Sequence, residues 1–362
     1  MMSSVSPAPP ASPRPPPGSA SSAERADGGH APADDGGPAD EPIDPIDPIG
    51  PIEPTPVVFI MGAGVVGRAL AARLVRAGVP VAGLHGRQAE LSDAASAISG
   101  ALSSSGEIPE IVSESDVIII SVRDERIKEV AERLVREKRL RKNQIVLHTS
   151  GANAAADILA VARPQVRGLG TLHPLVSFAD PRLAVVGLKT VAFGLEGDVV
   201  ARRAAARLVS MMGARSVVLE SRNLALYHAG AVLVSNYVVV LADLARSLLV
   251  EAGVPADEAL PALIPLLTSV VQNLAQMGLP AALTGPVERG DVSSVARHLQ
   301  TLTERAPGVV ELYRLMGREV LRIALSKGPL DADAVGRLEE LFGSPAAPGA
   351  SPAPPTSTPS GA

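Results

Sequence analysis

Apolar residues in this chain are arranged in two different rhythms, with the change near residue 220. Before it, short continuous apolar runs recur: Val57 to Met61, Val79 to Leu84, Asp116 to Val122, Gln144 to His148, Lys189 to Phe193 and Arg215 to Leu219. Runs without polar alternation are the signature of strands covered on both faces, as in a parallel sheet. Between them lie stretches with helical periodicity, Arg68 to Leu74 and Asp124 to Glu137 among them. Repeated strand–helix units predict an α/β doubly wound parallel sheet over residues 55–220. Beyond it, Arg222 to Ala252 reads as one long helix closed by Gly253, and Ala256 to Met277 as a second closed by Gly278. Asp291 to Arg305, Val309 to Ser326 and Asp331 to Leu341 complete an all-α C-terminal domain over residues 221–343.

Composition sets the two ends apart. Residues 1–54 hold 14 of the 33 prolines, and residues 344–362 are Pro, Ala, Ser, Thr and Gly without charge. Neither has the apolar content to offset ordering entropy, so both are expected to be disordered tails. The formal charge of −5 also divides unevenly: the first 54 residues carry −7 and the remainder +2. A near-neutral body with seven Phe and Tyr argues against nucleic acid as a partner. With no cysteine there is no disulfide, thiolate metal site or cysteine nucleophile. The N-terminus lacks the apolar core of a signal peptide, and the apolar stretch Ala229 to Ala242 is interrupted by Ser235 and Asn236. The expectation is a cytoplasmic protein with no membrane partner.

The first strand runs directly into Gly62-Ala63-Gly64-Val65-Val66-Gly67, a G-x-G-x-x-G turn opening a helix. In a Rossmann dinucleotide-binding unit the first glycine makes the tight turn. The second admits the pyrophosphate, and the third lets helix and strand pack closely. Unpaired N–H groups and the positive end of the helix dipole then face the phosphates. About 20 residues further on, an NAD site carries an acid for the ribose 2′-hydroxyl. This chain has Leu84-His85-Gly86-Arg87-Gln88 there instead. Arg87 is suited to a 2′-phosphate with His85 as an additional donor, which favours NADP (as NADPH) over NAD; the other reading is that Arg87 only begins the next helix.

Ligands in open α/β sheets bind beyond the carboxyl ends of the strands. Three polar clusters fall there: Ser121-Val122-Arg123-Asp124, His148-Thr149-Ser150-Gly151-Ala152 and Gly170-Thr171-Leu172-His173-Pro174. Ser121, Val122, Thr149 and Ser150 are therefore candidates for contact with the cofactor, and His148 and His173 for chemistry. Thr149 and Ser150 also suit the capping of the helix that follows, and the two histidines suit strand-end hydrogen bonds. On the long helix, His228 and Ser235 lie seven residues apart on one face, with Asn236 beside them. The loop Thr284-Gly285-Pro286-Val287-Glu288-Arg289-Gly290-Asp291 is rich in donors. Ser235, Thr284 and Arg289 are the substrate-binding candidates, although Arg289 has Glu288 and Asp291 as alternative partners. The histidines lack ligand spacing, so no metal is expected.

These motifs, together with Leu172-His173-Pro174-Leu175, Tyr227-His228-Ala229, Asn236-Tyr237 and His298, resemble a family over about residues 56–342. It comprises oxidoreductases that join a Rossmann-like domain to a helical domain of unknown function. They are relatives of ketopantoate, pyrroline-5-carboxylate and 6-phosphogluconate-type reductases. The resemblance implies NADP-dependent reduction of a small 2-oxo acid or imine carbonyl, with ketopantoate reduction as one form, and a homodimer joined through the helical domain. Hydroxyacid dehydrogenases of this architecture place a lysine on the first long helix, which has none here. His228 stands at that position, which makes it the candidate general acid, with Asn236 binding the carbonyl or carboxylate. A non-catalytic dinucleotide-binding regulatory or redox-sensing protein is the alternative, and a deazaflavin-linked oxidoreductase shares the same fingerprint.

Overall fold

The computed structural model describes residues 54–88, 100–177 and 191–343. Both expected tails lie outside these residues, apart from Pro54, as does the Lys189-Thr190 start of one expected strand. An eight-stranded sheet has the order β3-β2-β1-β4-β5-β6-β7-β8. In chain order the elements are β1 (Val58–Met61), α1 (Val65–Arg76), β2 (Val81–Gly86), β3 (Leu102–Ser105), β4 (Val117–Ile120), α2 (Asp124–Arg136), β5 (Ile145–His148), the single turn α3 (Ala155–Ile158), β6 (Gly168–Pro174), β7 (Ala192–Gly197), α4 (Val199–Met211) and β8 (Arg215–Val218).

Strands β1, β4 and β5 are buried along their whole length, as their unbroken apolar runs require. On one face α1 and α4 cover the sheet through Leu70, Leu74, Ala201 and Leu208. On the other, Ile127, Ala131 and Leu134 of α2 pack over Ile118 and Ile120. The doubly wound arrangement holds, with one correction: the sheet is not wholly parallel. β7 runs antiparallel to β6, and β8 follows β7 in parallel. The polar cluster Gly170 to Pro174 is also not a strand-end loop but part of β6. Its small and polar residues conceal a strand that Leu169 and Leu172 hold in the core.

The helical region comprises α5 (Leu224–Val234), α6 (Asn236–Glu251), α7 (Ala256–Met277), α8 (Val292–Arg305), α9 (Val310–Lys327) and α10 (Ala332–Phe342). The single long helix expected from Arg222 to Ala252 is broken at Ser235, where φ is −114° and ψ −81°. Ser235 Oγ donates to the Ala231 carbonyl at 2.7 Å, the local competition by which serine interrupts regular helical bonding. Asp291 and Asp331 cap α8 and α10 by accepting from Ser294 N and Ala334 N. Helices α8–α10 enclose a core of their own around Val295, Leu299, Leu321, Leu338 and Phe342. The Phe342 ring lies over Gly317, where an added Cβ would come within 2.2 Å of it. Phe342→Ala is therefore expected to cost about 3–5 kcal/mol. Urea unfolding followed by circular dichroism, whose transition should lose helical signal first, measures that loss.

Candidate functional site

The glycine turn has the geometry that its spacing requires. Gly62 has φ +130°, and a Cβ there would fall 2.0 Å from the Ser121 carbonyl oxygen. A Cβ on Gly67 would fall 1.9 Å from the Gly62 carbonyl oxygen, so helix and turn meet backbone to backbone. Gly64 is different: a Cβ there would meet nothing within 4 Å, because it borders open space. It is also the N-cap of α1, with no side chain capping the first turn and no acid in it. The free N–H groups of that turn consequently open onto a cleft.

The cleft has a volume of about 650 Å³. Gly62, Ala63, Gly64, Val65 and Val66 form its floor, Ser121, Val122 and Thr149 the ends of β4 and β5, and His85 and Arg87 its far wall. Ten of the twelve cofactor candidates thus come together. Gly67 packs behind the floor. Ser150 turns away, donating to Asp124 Oδ2 at 2.6 Å and accepting from Ala152 N. His85 is buried and 3.1 Å from Ser104 Oγ. Burial, and secondarily the Arg133 charge, lowers its pKa, so it offers a neutral ring rather than a cation. Arg133, which lies in none of the motifs, also lines the cleft. Its Nε donates to Glu137 at 2.6 Å and its Nη2 to the Gly106 carbonyl at 2.5 Å. Its signal was present: Arg126 and Arg133 lie seven residues apart on one face of α2.

A second cluster lies past the end of β5. His173 Nδ1 and the Tyr227 hydroxyl are 2.8 Å apart, their rings edge to face. His228 adds a ring 6.2 Å from that of His173. Two glycines make room for this group. A Cβ on Gly151 would fall within 2.8 to 2.9 Å of three His173 ring atoms, so the imidazole lies flat on bare backbone. A Cβ on Gly194 would fall 2.7 Å from the Tyr227 oxygen. Burial, with the His228 charge second, brings the His173 pKa down to about 4. Burial raises that of Tyr227 to about 12. Both are therefore neutral at pH 7, and the bond between them carries one proton that either ring can hold. The Nδ1 of His228 is buried without a hydrogen-bond partner. Thr149 on the cleft and Gly151 under His173 are two residues apart, so one short segment joins the two places.

His148 does not join them. It is fully buried, its Nδ1 accepts from Ser150 N at 3.2 Å, and its Nε2 lies 3.1 Å from Thr171 Oγ1. Thr171 in turn donates to Glu196 Oε2 at 2.9 Å. With both nitrogens engaged, His148 is a structural hydrogen-bonding group. Asn236 begins α6 just past the break, and Ser235 Oγ donates to the Ala231 carbonyl, so the contacts of both are local to the helices rather than to the His173–Tyr227 pair. Thr284 and Arg289 are exposed on the loop that Val287 anchors in the α8–α10 core. That loop is tied to α9 by Lys327, which donates to the Leu283 carbonyl and to Glu288. Among the described residues no His/Asp/Glu group could hold a metal ion.

The comparisons agree with this architecture. Residues 49–174 match the Rossmann-like domain family and residues 191–320 match DUF2520, a domain of unknown function. The second match takes in β7, α4 and β8 as well as the helices through most of α9. No curated protein matches the chain. Among solved structures, the Thermotoga maritima protein TM1727 is 23% identical, with 75% of this chain and 99% of that one covered and a TM-score of 0.60. The Bacteroides fragilis protein BF3122, named provisionally as an NADP oxidoreductase, is 22% identical over 74% and 98% with a TM-score of 0.57. A Plasmodium falciparum pyrroline carboxylate reductase with NADP bound is 11% identical over 80% and 98% with a TM-score of 0.50.

Two buried histidines with lowered pKa values fix the sign of a pH effect. Burial brings His148, like His173, to about 4, whereas the unfolded chain holds each near 6.5. Between those values the unfolded state binds more protons, so stability is full above pH 6.5 and declines as pH falls toward 4. Urea midpoints at pH 7 and pH 5 should differ by a few kcal/mol of stability, and His148→Gln should reduce that difference. In its identity, this chain is a Rossmann-like domain joined to a DUF2520 domain.

Proposed function

We propose that the chain is an NADPH-dependent reductase acting on the carbonyl or imine of a small 2-oxo acid, with ketopantoate as the first substrate to test. The observation that carries this reading is the His173–Tyr227 hydrogen bond, linked through the short Thr149–Gly151 segment to the cleft at the glycine turn. A protein that only sensed the cofactor would not need a neutral hydroxyl backed by a neutral imidazole there.

The cleft fits the group. Gly64 leaves space where a pyrophosphate would approach, the α1 N–H groups face it, and Arg87 and Arg133 flank the wall where a 2′-phosphate would lie. When bound, NADPH would supply the hydride. The chain's residues manage the proton. Tyr227 O–H is the donor to the substrate oxygen or nitrogen as negative charge develops on it. His173 Nδ1–H restores the phenol while Nε2 takes up a proton from solvent, so the imidazole changes tautomer and keeps its charge. This assigns the general acid to Tyr227, one residue before His228. The unpartnered Nδ1 of His228 serves as a binding group for a polar substrate atom. The relatives named as NADP oxidoreductase and pyrroline carboxylate reductase support the reaction class.

Fluorescence titration with NADPH and NADH tests the cofactor. Arg87→Ala is expected to weaken NADPH by about 10- to 100-fold, the worth of a charge-assisted contact, and to leave NADH within a few-fold. Equal binding of both cofactors by the unaltered chain would overturn the 2′-phosphate assignment. In steady-state assays Tyr227→Phe should lower kcat by about 10²- to 10⁴-fold with NADPH affinity unchanged. Retained turnover would remove Tyr227 from the mechanism.

A further inference from the structure

A second cavity lies where the end of α6 meets α8 and the start of α9. Its volume is about 320 Å³, and no residue that lines it also lines the cleft at the glycine turn. Leu248, Leu302 and Ala306 give it an apolar floor, and all three belong to the α8–α10 core or pack against it.

The polar part of the wall has two built features. The first is a latch: Arg305 of α8 donates through Nη2 to the Glu251 carbonyl and, at 3.0 Å, to Glu251 Oε1, placing a cation on the last turn of α6. The second is an aromatic corner. The His298 and Tyr313 rings stand 87° apart with centroids 6.1 Å apart, and His298 Nδ1 is 2.8 Å from the Tyr313 hydroxyl. Burial raises the Tyr313 pKa, so the phenol keeps its proton at pH 7. With that proton donated to Nδ1, the imidazole carries a hydrogen on Nε2, which has no partner among the described residues. Arg297, also on the wall, has only a long contact of 3.4 Å from Nη2 to Ser294 Oγ and no carboxylate partner among the described residues. Because Glu251 already matches Arg305, Arg297 leaves the cavity with an uncompensated positive charge.

We infer that this cavity binds a small aromatic carboxylate, with its carboxylate on Arg297 and its ring between the apolar floor and the His298–Tyr313 corner. Each part of that ligand answers a feature of the wall. A guanidinium with free donors takes a carboxylate as a bidentate pair. Two rings at right angles offer an edge and a face to a third. At water's share of roughly 30 Å³, the space suits a ligand on the order of ten non-hydrogen atoms, the scale of a benzoate or naphthoate. A sugar would set hydroxyls unpaired against Leu248, Leu302 and Ala306, and an amine would be repelled by Arg297. The site also gives a use to His298, which the sequence singles out and the proposed reaction leaves idle.

The inference is independent of the proposed reaction and is tested by binding alone. The probe is 2-naphthoate, whose fluorescence can be followed directly because the chain has no tryptophan. The full chain is expected to bind it saturably and about tenfold or more tightly than the uncharged 2-naphthamide. Arg297→Gln should weaken naphthoate by about 10- to 100-fold and leave the amide within a few-fold. Thr301→Phe, at an exposed position of α8 on the cavity wall, puts a ring into the space and should weaken both probes. Arg87→Ala, in the other cleft, should change neither. No saturation at millimolar naphthoate, equal binding of the amide, an affinity unchanged in Arg297→Gln, or one lost in Arg87→Ala would each overturn the inference. If Arg297→Gln does not fold by circular dichroism, Thr301→Phe decides it: naphthoate bound as tightly as by the unaltered chain would place the probe elsewhere.

Discussion

The structure depends on how one buried carboxylate is satisfied. Glu196 on β7 is 1% exposed and has no cationic partner in hydrogen-bonding range among its described contacts. Instead it accepts from Thr171 Oγ1 at 2.9 Å, from Ala155 N at 3.0 Å and from Ser221 Oγ at 2.6 Å. Those donors come from β6, from the first turn of α3, and from the segment that leads into the helical region. A carboxylate this deep is tolerable only when donors converge on it. Meeting its needs fixes the antiparallel pairing of β6 with β7 and orients His148 through Thr171. It also brings the approach to α5 against the sheet.

That anchoring explains why the histidine and tyrosine meet where they do. With Ser221 held, α5 crosses β7 at Gly194, and Tyr227 passes over the space where that residue has no side chain. Its hydroxyl then reaches His173 on the neighbouring strand, the register partner of Gly194. Gly151 supplies the corresponding gap beneath the imidazole. The pair is therefore positioned by missing side chains at Gly194 on β7 and at Gly151 in the loop after β5, and burial by the same close packing keeps both rings neutral.

The fold was largely legible, because apolar runs and a glycine turn are local patterns. Val58 to Met61 and Val117 to Ile120 announce buried strands, and Gly62, Gly64 and Gly67 each meet the constraint their spacing implies. What escaped was decided by partners distant in sequence. β3, with Leu102 followed by three serines, has no strand pattern of its own and exists through pairing with β2. The reversal at β7 leaves no mark in its composition. In the site, His148 and His173 look equivalent as strand-end histidines. Only the contacts of Thr171 and Tyr227, 23 and 54 residues away, separate a ring with both nitrogens engaged inside the sheet from one paired with a tyrosine hydroxyl. The break at Ser235 was visible as Ser-Asn in an apolar helix, but its consequence for Asn236 required the geometry.

The His173–Tyr227 pair also straddles a boundary. His173 lies in the segment that matches the Rossmann-like family, and Tyr227 in the segment that matches DUF2520. Neither segment holds the pair alone, so the two have to be inherited together. Exchanging everything after residue 190 for the counterpart from a relative would keep every residue that lines the cleft beside the glycine turn. It would leave the imidazole facing whatever side chain the donor places there, and so make the junction between two families the variable that decides what His173 is bonded to.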